Sequence, residues 1–114
     1  MISSELLKGS LKTIVLKILE ENGRMYGYEI TRKVEEITGG KIKLTYGALY
    51  PVLHKLEDEG VLVTEPENFN NRIRIYYKLT PMGRSVVKEK LTEMGEFLET
   101  LRKIIEPQPG LKNA

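Results

Sequence analysis

At 114 residues, 40% of them apolar, the chain is long enough for one small domain with a modest core and too short for two. Eighteen Lys and Arg against sixteen Asp and Glu leave a net charge of only +2, so any preference for a polyanion must come from where the charges sit. The absence of cysteine excludes a disulfide framework, a thiolate nucleophile and a Cys-based metal site, and with no apolar run near the roughly 18 residues of a membrane span, a cytoplasmic protein with no membrane partner is expected.

Leu7, Leu11, Ile14, Val15, Ile18 and Leu19 recur at helical spacing and predict a first helix, which Asn22-Gly23 stops in the manner of a C-terminal cap. A second helix places Tyr26, Ile30, Val34 and Ile37 on one face, turns Glu29, Arg32, Lys33 and Glu36 to water, and ends at Gly39-Gly40. Thr45 is the N-cap of a third, whose inner stripe is Leu49, Leu53 and Leu56 and whose end is Gly60. Counting about 100° per residue from Leu49 turns Gly47, Tyr50, Pro51, His54 and Asp58 outward or to the flank. Pro51 has no N–H to offer the Gly47 carbonyl, so this helix either starts later or bends there.

Beyond Gly60 the period changes to two. Val61 to Glu65 read as a first strand, Pro66 to Asn71 as a loop whose Asn residues tolerate positive φ, and Arg72 to Leu79 as the return strand. There Ile73, Ile75, Tyr77 and Leu79 alternate with Arg72, Arg74, Tyr76 and Lys78, an apolar face backing a cationic, aromatic one. A one-residue slip would bury three charges, so the register should be firm. Thr80-Pro81 cap and start a final helix running to about Ile105, and Pro107, Pro109 and Gly110 leave residues 107–114 as a disordered tail. On that helix Val87, Leu91, Met94, Leu98, Leu101 and Ile105 are spaced 4, 3, 4, 3, 4, a seam widened by Phe97 and Ile104. The seam either packs on the first helix of the same chain or meets a second copy, and its length favours the second copy.

Charge is distributed unevenly along these elements. No Asp or Glu falls within residues 37–56 or 68–88, whereas eight of the eighteen Lys and Arg do. Such stretches are either ordinary solvated faces or a surface suited to a phosphate backbone, and the loss of every carboxylate from both favours the phosphate backbone. His54 is the only histidine, and on a helix flank it reads as a phosphate or water contact, not as a ligand or base. The MYGYEI segment lacks phosphate-loop spacing, and no set of nucleophile, base and orienter can be assembled. No catalytic residue, metal ligand or cofactor is assigned, and an enzyme is not expected.

Three segments, taken in order, resemble the PadR family of transcriptional regulators. They are Tyr26-Gly27-Tyr28-Glu29-Ile30; Gly47-Ala48-Leu49-Tyr50-Pro51 followed by Leu53, Leu56-Glu57 and Gly60; and Tyr76-Tyr77-Lys78-Leu79-Thr80 ahead of Gly83-Arg84. The resemblance spans about residues 5 to 105. It implies a mainly α (α+β) fold: a winged helix-turn-helix DNA-binding domain over 1–80 with a two-stranded β-wing, and a long C-terminal dimerisation helix over 81–106. It further implies a repressor of neighbouring genes, often released from DNA by an aromatic or other hydrophobic small molecule. Ala48 stands where many relatives carry Thr, and Glu67-Asn68-Phe69-Asn70-Asn71 lacks the glycines common in the family's wing.

Geometry then suggests contacts. Thr45, Tyr46, Gly47 and Tyr50 open the third helix and would meet base edges in a major groove. Lys41, Lys43, His54, Lys55, Arg72, Arg74 and Lys78 would lie along phosphates, fixing register without reading sequence. Tyr76 either touches DNA or lies beside Arg74. A homodimer joined through Leu7, Leu11, Val87, Leu91, Met94, Leu98, Leu101 and Ile105 would present two such helices about 34 Å apart to double-stranded DNA carrying a pseudo-palindromic operator. Between the two subunits, Ile14, Ile18, Met94, Phe97, Leu98 and Leu101 would either line an apolar space for a small hydrophobic effector or form a fully packed interface with no cavity. The alternative function is a winged-helix module that binds another protein and has no operator of its own.

Overall fold

The computed structural model describes residues 1–107. The tail expected over 107–114 therefore lies, beyond Pro107, outside the described residues. Ser3 opens α1 (Ser4–Lys8), its hydroxyl oxygen accepting from the Leu6 N–H at 3.3 Å. The single first helix expected through Leu7 and Leu11 is broken at Gly9-Ser10, where the Ser10 N–H turns back to the Leu7 carbonyl, and α2 (Leu11–Asn22) starts afresh. Leu7 and Leu11 keep their spacing of four across the break, so periodicity could not register it. Gly23, at φ 75°, ends α2 as expected.

A two-residue strand, β1 (Met25–Tyr26), precedes α3 (Gly27–Ile37). Ile30 and Val34 of α3 are buried, but Ile37 is exposed, so the expected inner stripe stops one turn early. In α4 (Tyr46–Asp58) the Thr45 hydroxyl oxygen accepts from the Ala48 N–H at 3.2 Å, and Leu49, Leu53 and Leu56 are fully buried. Pro51 sits inside this helix, which does not start later on its account; it and Gly47 are both exposed, so water can reach the carbonyl that lacks its usual donor.

Strands β2 (Leu62–Phe69) and β3 (Arg72–Leu79) pair antiparallel from Leu62–Leu79 out to Phe69–Arg72. β1 adds to the other side of β3, giving a three-stranded sheet in the order β1-β3-β2. The first strand of the wing runs on past Glu65 to Phe69, and the expected loop contracts to Asn70-Asn71. Their φ angles of 49° and 62° are the paired positive values of a two-residue type I′ hairpin turn. Pro66 is tolerated because β2 is an edge strand. Tyr77 and Leu79 are buried as the alternation predicts, whereas Ile73 (71% exposed) and Ile75 lie open because the hairpin projects beyond the core.

Thr80 caps α5 (Pro81–Ile105), accepting from the Gly83 N–H at 3.0 Å and donating to the Gly60 carbonyl at 2.7 Å. The core gathers Val15, Leu16, Ile30, Leu49, Leu53, Leu56 and Val87, all fully buried. Each contributes about 1.5–3 kcal/mol of transfer free energy. α5 packs on α2 along its first half, as far as Met94, and then runs clear, and the whole molecule is 66 Å in its longest dimension. Packing within the chain thus covers Val87 and half-buries Leu91 and Met94, while Phe97, Leu98, Ile104 and Ile105 stay exposed.

Candidate nucleic-acid interface

The segment between α3 and α4 alternates: Ile42 and Leu44 turn toward the core, so Lys41, Lys43 and Thr45 face out. It is tied down at Lys41, whose carbonyl accepts from the Ile2 N–H at 2.8 Å, and at Ile42, whose N–H donates to the Thr38 hydroxyl oxygen at 3.1 Å. The cap Thr45 and the residues after it, Tyr46, Gly47 and Ala48, form an exposed start to α4, where the Thr45 hydroxyl takes the Ala48 N–H, and the helix-end N–H groups of Tyr46 and Gly47 with the positive end of the helix dipole favour an anion. Lys55 and His54 are exposed two turns further on.

Of the two orientations the helical count allows, outward or to the flank, Tyr50 takes the flank. It is half-buried among Tyr46 and His54, with ring centroids 5.8 and 6.0 Å away, and its hydroxyl end rests against Gly27 of α3. It belongs to the α3–α4 packing, with one edge left open.

The wing's outer face also differs from expectation. Register places Glu67 across from Arg74 and Glu65 across from Tyr76, so two carboxylates from between the acid-free stretches lie among the cations. Lys78 pairs with Glu65 at 3.4 Å. Arg24, from the turn after α2, pairs with Glu65 at 3.1 Å and with Glu67, and its guanidinium lies 4.3 Å above the Tyr76 ring. Arg74 stacks on Tyr26 at 4.4 Å and Phe69 at 3.6 Å. The face is therefore mixed in charge. Hydrogen bonds from Arg24 first and Lys78 second hold the Glu65 carboxyl below the usual range, and burial raises the Tyr77 phenol. Sequence reasoning missed Arg24 and Phe69: one follows a helix stop and the other fell in an expected loop, so neither carried a periodic signal.

The residues expected to join two copies separate into groups. Leu11 and Val87 belong to the protomer's own core, and Leu7 lines, with Leu11, Leu44 and Val52, a groove of about 630 Å³ beside the start of α4. Only Leu98 and Ile105 of that set stand clearly exposed. A cavity of about 380 Å³ lies between α2, α3 and α5. It lies within one protomer, whereas the expected space lies between two; Ile14, Ile18 and Met94 line it together with Val34, Ile37, Ile42 and Leu91, and Phe97, Leu98 and Leu101 lie elsewhere on α5. Among the described residues there is no cluster of metal-ligating side chains, and no helix is long and apolar enough to cross a membrane.

The model of the PadR-like transcriptional regulator family matches residues 15–89. The structure is similar to that of a transcriptional regulator from Clostridium thermocellum, with a TM-score of 0.83, 29% identity and coverage of 93% of this chain and 100% of that one. It is also similar to Bacillus subtilis PadR solved in complex with operator DNA, with a TM-score of 0.63 and 29% identity over 71% of this chain and 46% of that one. A transcriptional regulator of Mycobacterium tuberculosis is 38% identical over 63 residues, 55% of this chain and 59% of that protein.

Proposed function

Because this chain belongs to the PadR-like family of transcriptional regulators, we propose that it is a homodimeric repressor that binds a pseudo-palindromic operator and is released by a small hydrophobic effector. The observation that carries the reading is the exposed first turn of α4, flanked by Lys41, Lys43 and Lys55 within a stretch, residues 37–56, that holds no carboxylate. Thr45, Tyr46 and Gly47 are small or flat enough to approach base edges, and the lysines take phosphates on either side. The operator complex of the B. subtilis neighbour supports duplex DNA as the partner.

The exposed stripe of Phe97, Leu98, Ile104 and Ile105 supports the dimer, since an apolar surface of that length on a helix clear of the body calls for a second copy. The cavity between α2, α3 and α5 supports the effector. It touches Leu91 and Met94 on α5 and also Ile42, which lies between the two lysines ahead of α4. A ligand there favours release only by binding more tightly to the arrangement that does not fit the operator.

Retention of labelled DNA from upstream of the chain's own gene tests the function. The chain is expected to bind the fragment in dilute buffer and to lose it steeply as salt rises, because each phosphate contact releases counterions. Failure to retain the fragment, together with a salt-insensitive association with another protein, would identify a protein-binding module instead.

A further inference from the structure

Building on the duplex-binding function, we propose that Arg24 and Arg74 are positioning residues that brace the wing against the body, and that Arg72 is the wing arginine that meets phosphate. The hairpin needs a brace. Its outer half projects beyond the core with Ile73 and Ile75 exposed, and a two-stranded ribbon without a packed face is marginal in water.

Arg24 supplies one tie. It sits on the body, between α2 and β1, and reaches Glu65 at 3.1 Å and Glu67 further out on β2 while covering the Tyr76 ring. With Lys78 also on Glu65, two cations face two carboxylates, which leaves little charge there to attract a phosphate. Arg74, a partly buried residue, supplies the other tie, its guanidinium held between Phe69 near the wing's end and Tyr26 at the start of α3. Tyr26 is itself fixed, its N–H donating to Glu29 at 3.2 Å and its ring meeting Tyr76 edge-on at 5.4 Å. A planar, weakly hydrated guanidinium suits such a sandwich, and an ammonium does not. Arg72, by contrast, adjoins the Asn70-Asn71 turn, is exposed and forms no ion pair among the described residues.

The test compares Arg74→Lys, Arg74→Gln, Phe69→Leu and Arg72→Gln in the full chain, reading duplex affinity across a salt series and amide hydrogen exchange of β2 and β3 without DNA. Arg74→Lys keeps its charge, yet it is expected to weaken binding with the salt slope unchanged and to speed wing exchange roughly two- to five-fold. Phe69→Leu, which alters no charge, should move both readouts the same way. Arg72→Gln should flatten the salt slope by about 0.9 for each phosphate that the arginine neutralises in the parent chain, and leave exchange alone. Parental affinity in Arg74→Lys with a flattened slope in Arg74→Gln would make Arg74 a phosphate contact and overturn the proposal, as would parental wing exchange in both Arg74→Lys and Phe69→Leu. If the parent chain binds no duplex, the repressor function fails by itself, and exchange still decides the brace.

Discussion

Gly27, the first residue of α3, leaves open the space where the Tyr50 ring of α4 comes to rest: a Cβ there would lie 2.8 Å from Tyr50 Cζ and closer still to the hydroxyl oxygen. The close approach joins the first two of the sequence motifs and sets how near the two helices of the helix-turn-helix can come. Gly27→Ala is therefore expected to cost about 1–2 kcal/mol through overpacking. Adding Tyr50→Phe should recover part of that, since it removes only the hydroxyl. A double-mutant cycle by chemical denaturation checks this, and strictly additive costs would mean that the ring had moved aside.

A second close approach has less room to yield. A Cβ on Gly83 would collide with the Val61 carbonyl oxygen and lie 3.2 Å from its carbonyl carbon and 3.3 Å from Leu79 Cδ2. The obstacle is backbone and cannot rotate away. Gly83→Ala should cost about 2–3 kcal/mol and lower the melting temperature by roughly 10 °C. Gly95→Ala is the control: nothing lies within 4 Å of a Cβ there, so the better helix former should add up to about 1 kcal/mol. Equal melting temperatures for the two variants would remove the argument.

What could be seen in the sequence was local. Thr45 and Thr80 are caps with the bonds their positions promise, Leu49, Leu53 and Leu56 share the buried face, and the β3 alternation correctly divides Tyr77 and Leu79 from Arg74 and Lys78. What escaped was set by contacts distant in sequence or by very short segments. Met25–Tyr26 is too brief to show a period. The mixed charge of the wing follows from a two-residue turn that carries β2 out to Phe69 and so lays Glu65 and Glu67 beside β3; an acid-free stretch in sequence is not an acid-free face when its partner strand supplies the carboxylates. Helical count leaves Tyr50 outward or on the flank and does not know that α3 offers a glycine opposite it, which is what draws the ring to the flank.

The exposed stripe on α5 makes a direct prediction about assembly. Phe97→Glu with Leu98→Glu places two charges where the second copy would sit, while both side chains are more than half exposed in the protomer (57% and 53%) and contribute little to its core. Sedimentation at micromolar concentration should shift from dimer to monomer, and the melting temperature should lose its dependence on protein concentration. A doubly substituted chain that still sediments as a dimer would place the interface elsewhere.

The Arg24–Glu65–Lys78 cluster predicts a response to acid. Hydrogen bonds from Arg24, and secondarily from Lys78, hold the Glu65 carboxyl below its ordinary value. Because the folded pKa lies below the unfolded one, the cluster's contribution is complete above the ordinary glutamate range and is lost as pH falls through the depressed folded value. Acidification should therefore loosen the wing on the acid side of that range and leave it unchanged near neutrality. Titration of the Glu65 side-chain carboxyl carbon by NMR should give a midpoint below that of an exposed glutamate, and Arg24→Gln should move it back toward the ordinary value. Wing exchange in Glu65→Gln should already be faster at neutral pH and respond less to acid. An ordinary midpoint in the parent chain would mean that the bridge from Arg24 is not populated in solution, and the wing would then have to be held by the Arg74 stack alone.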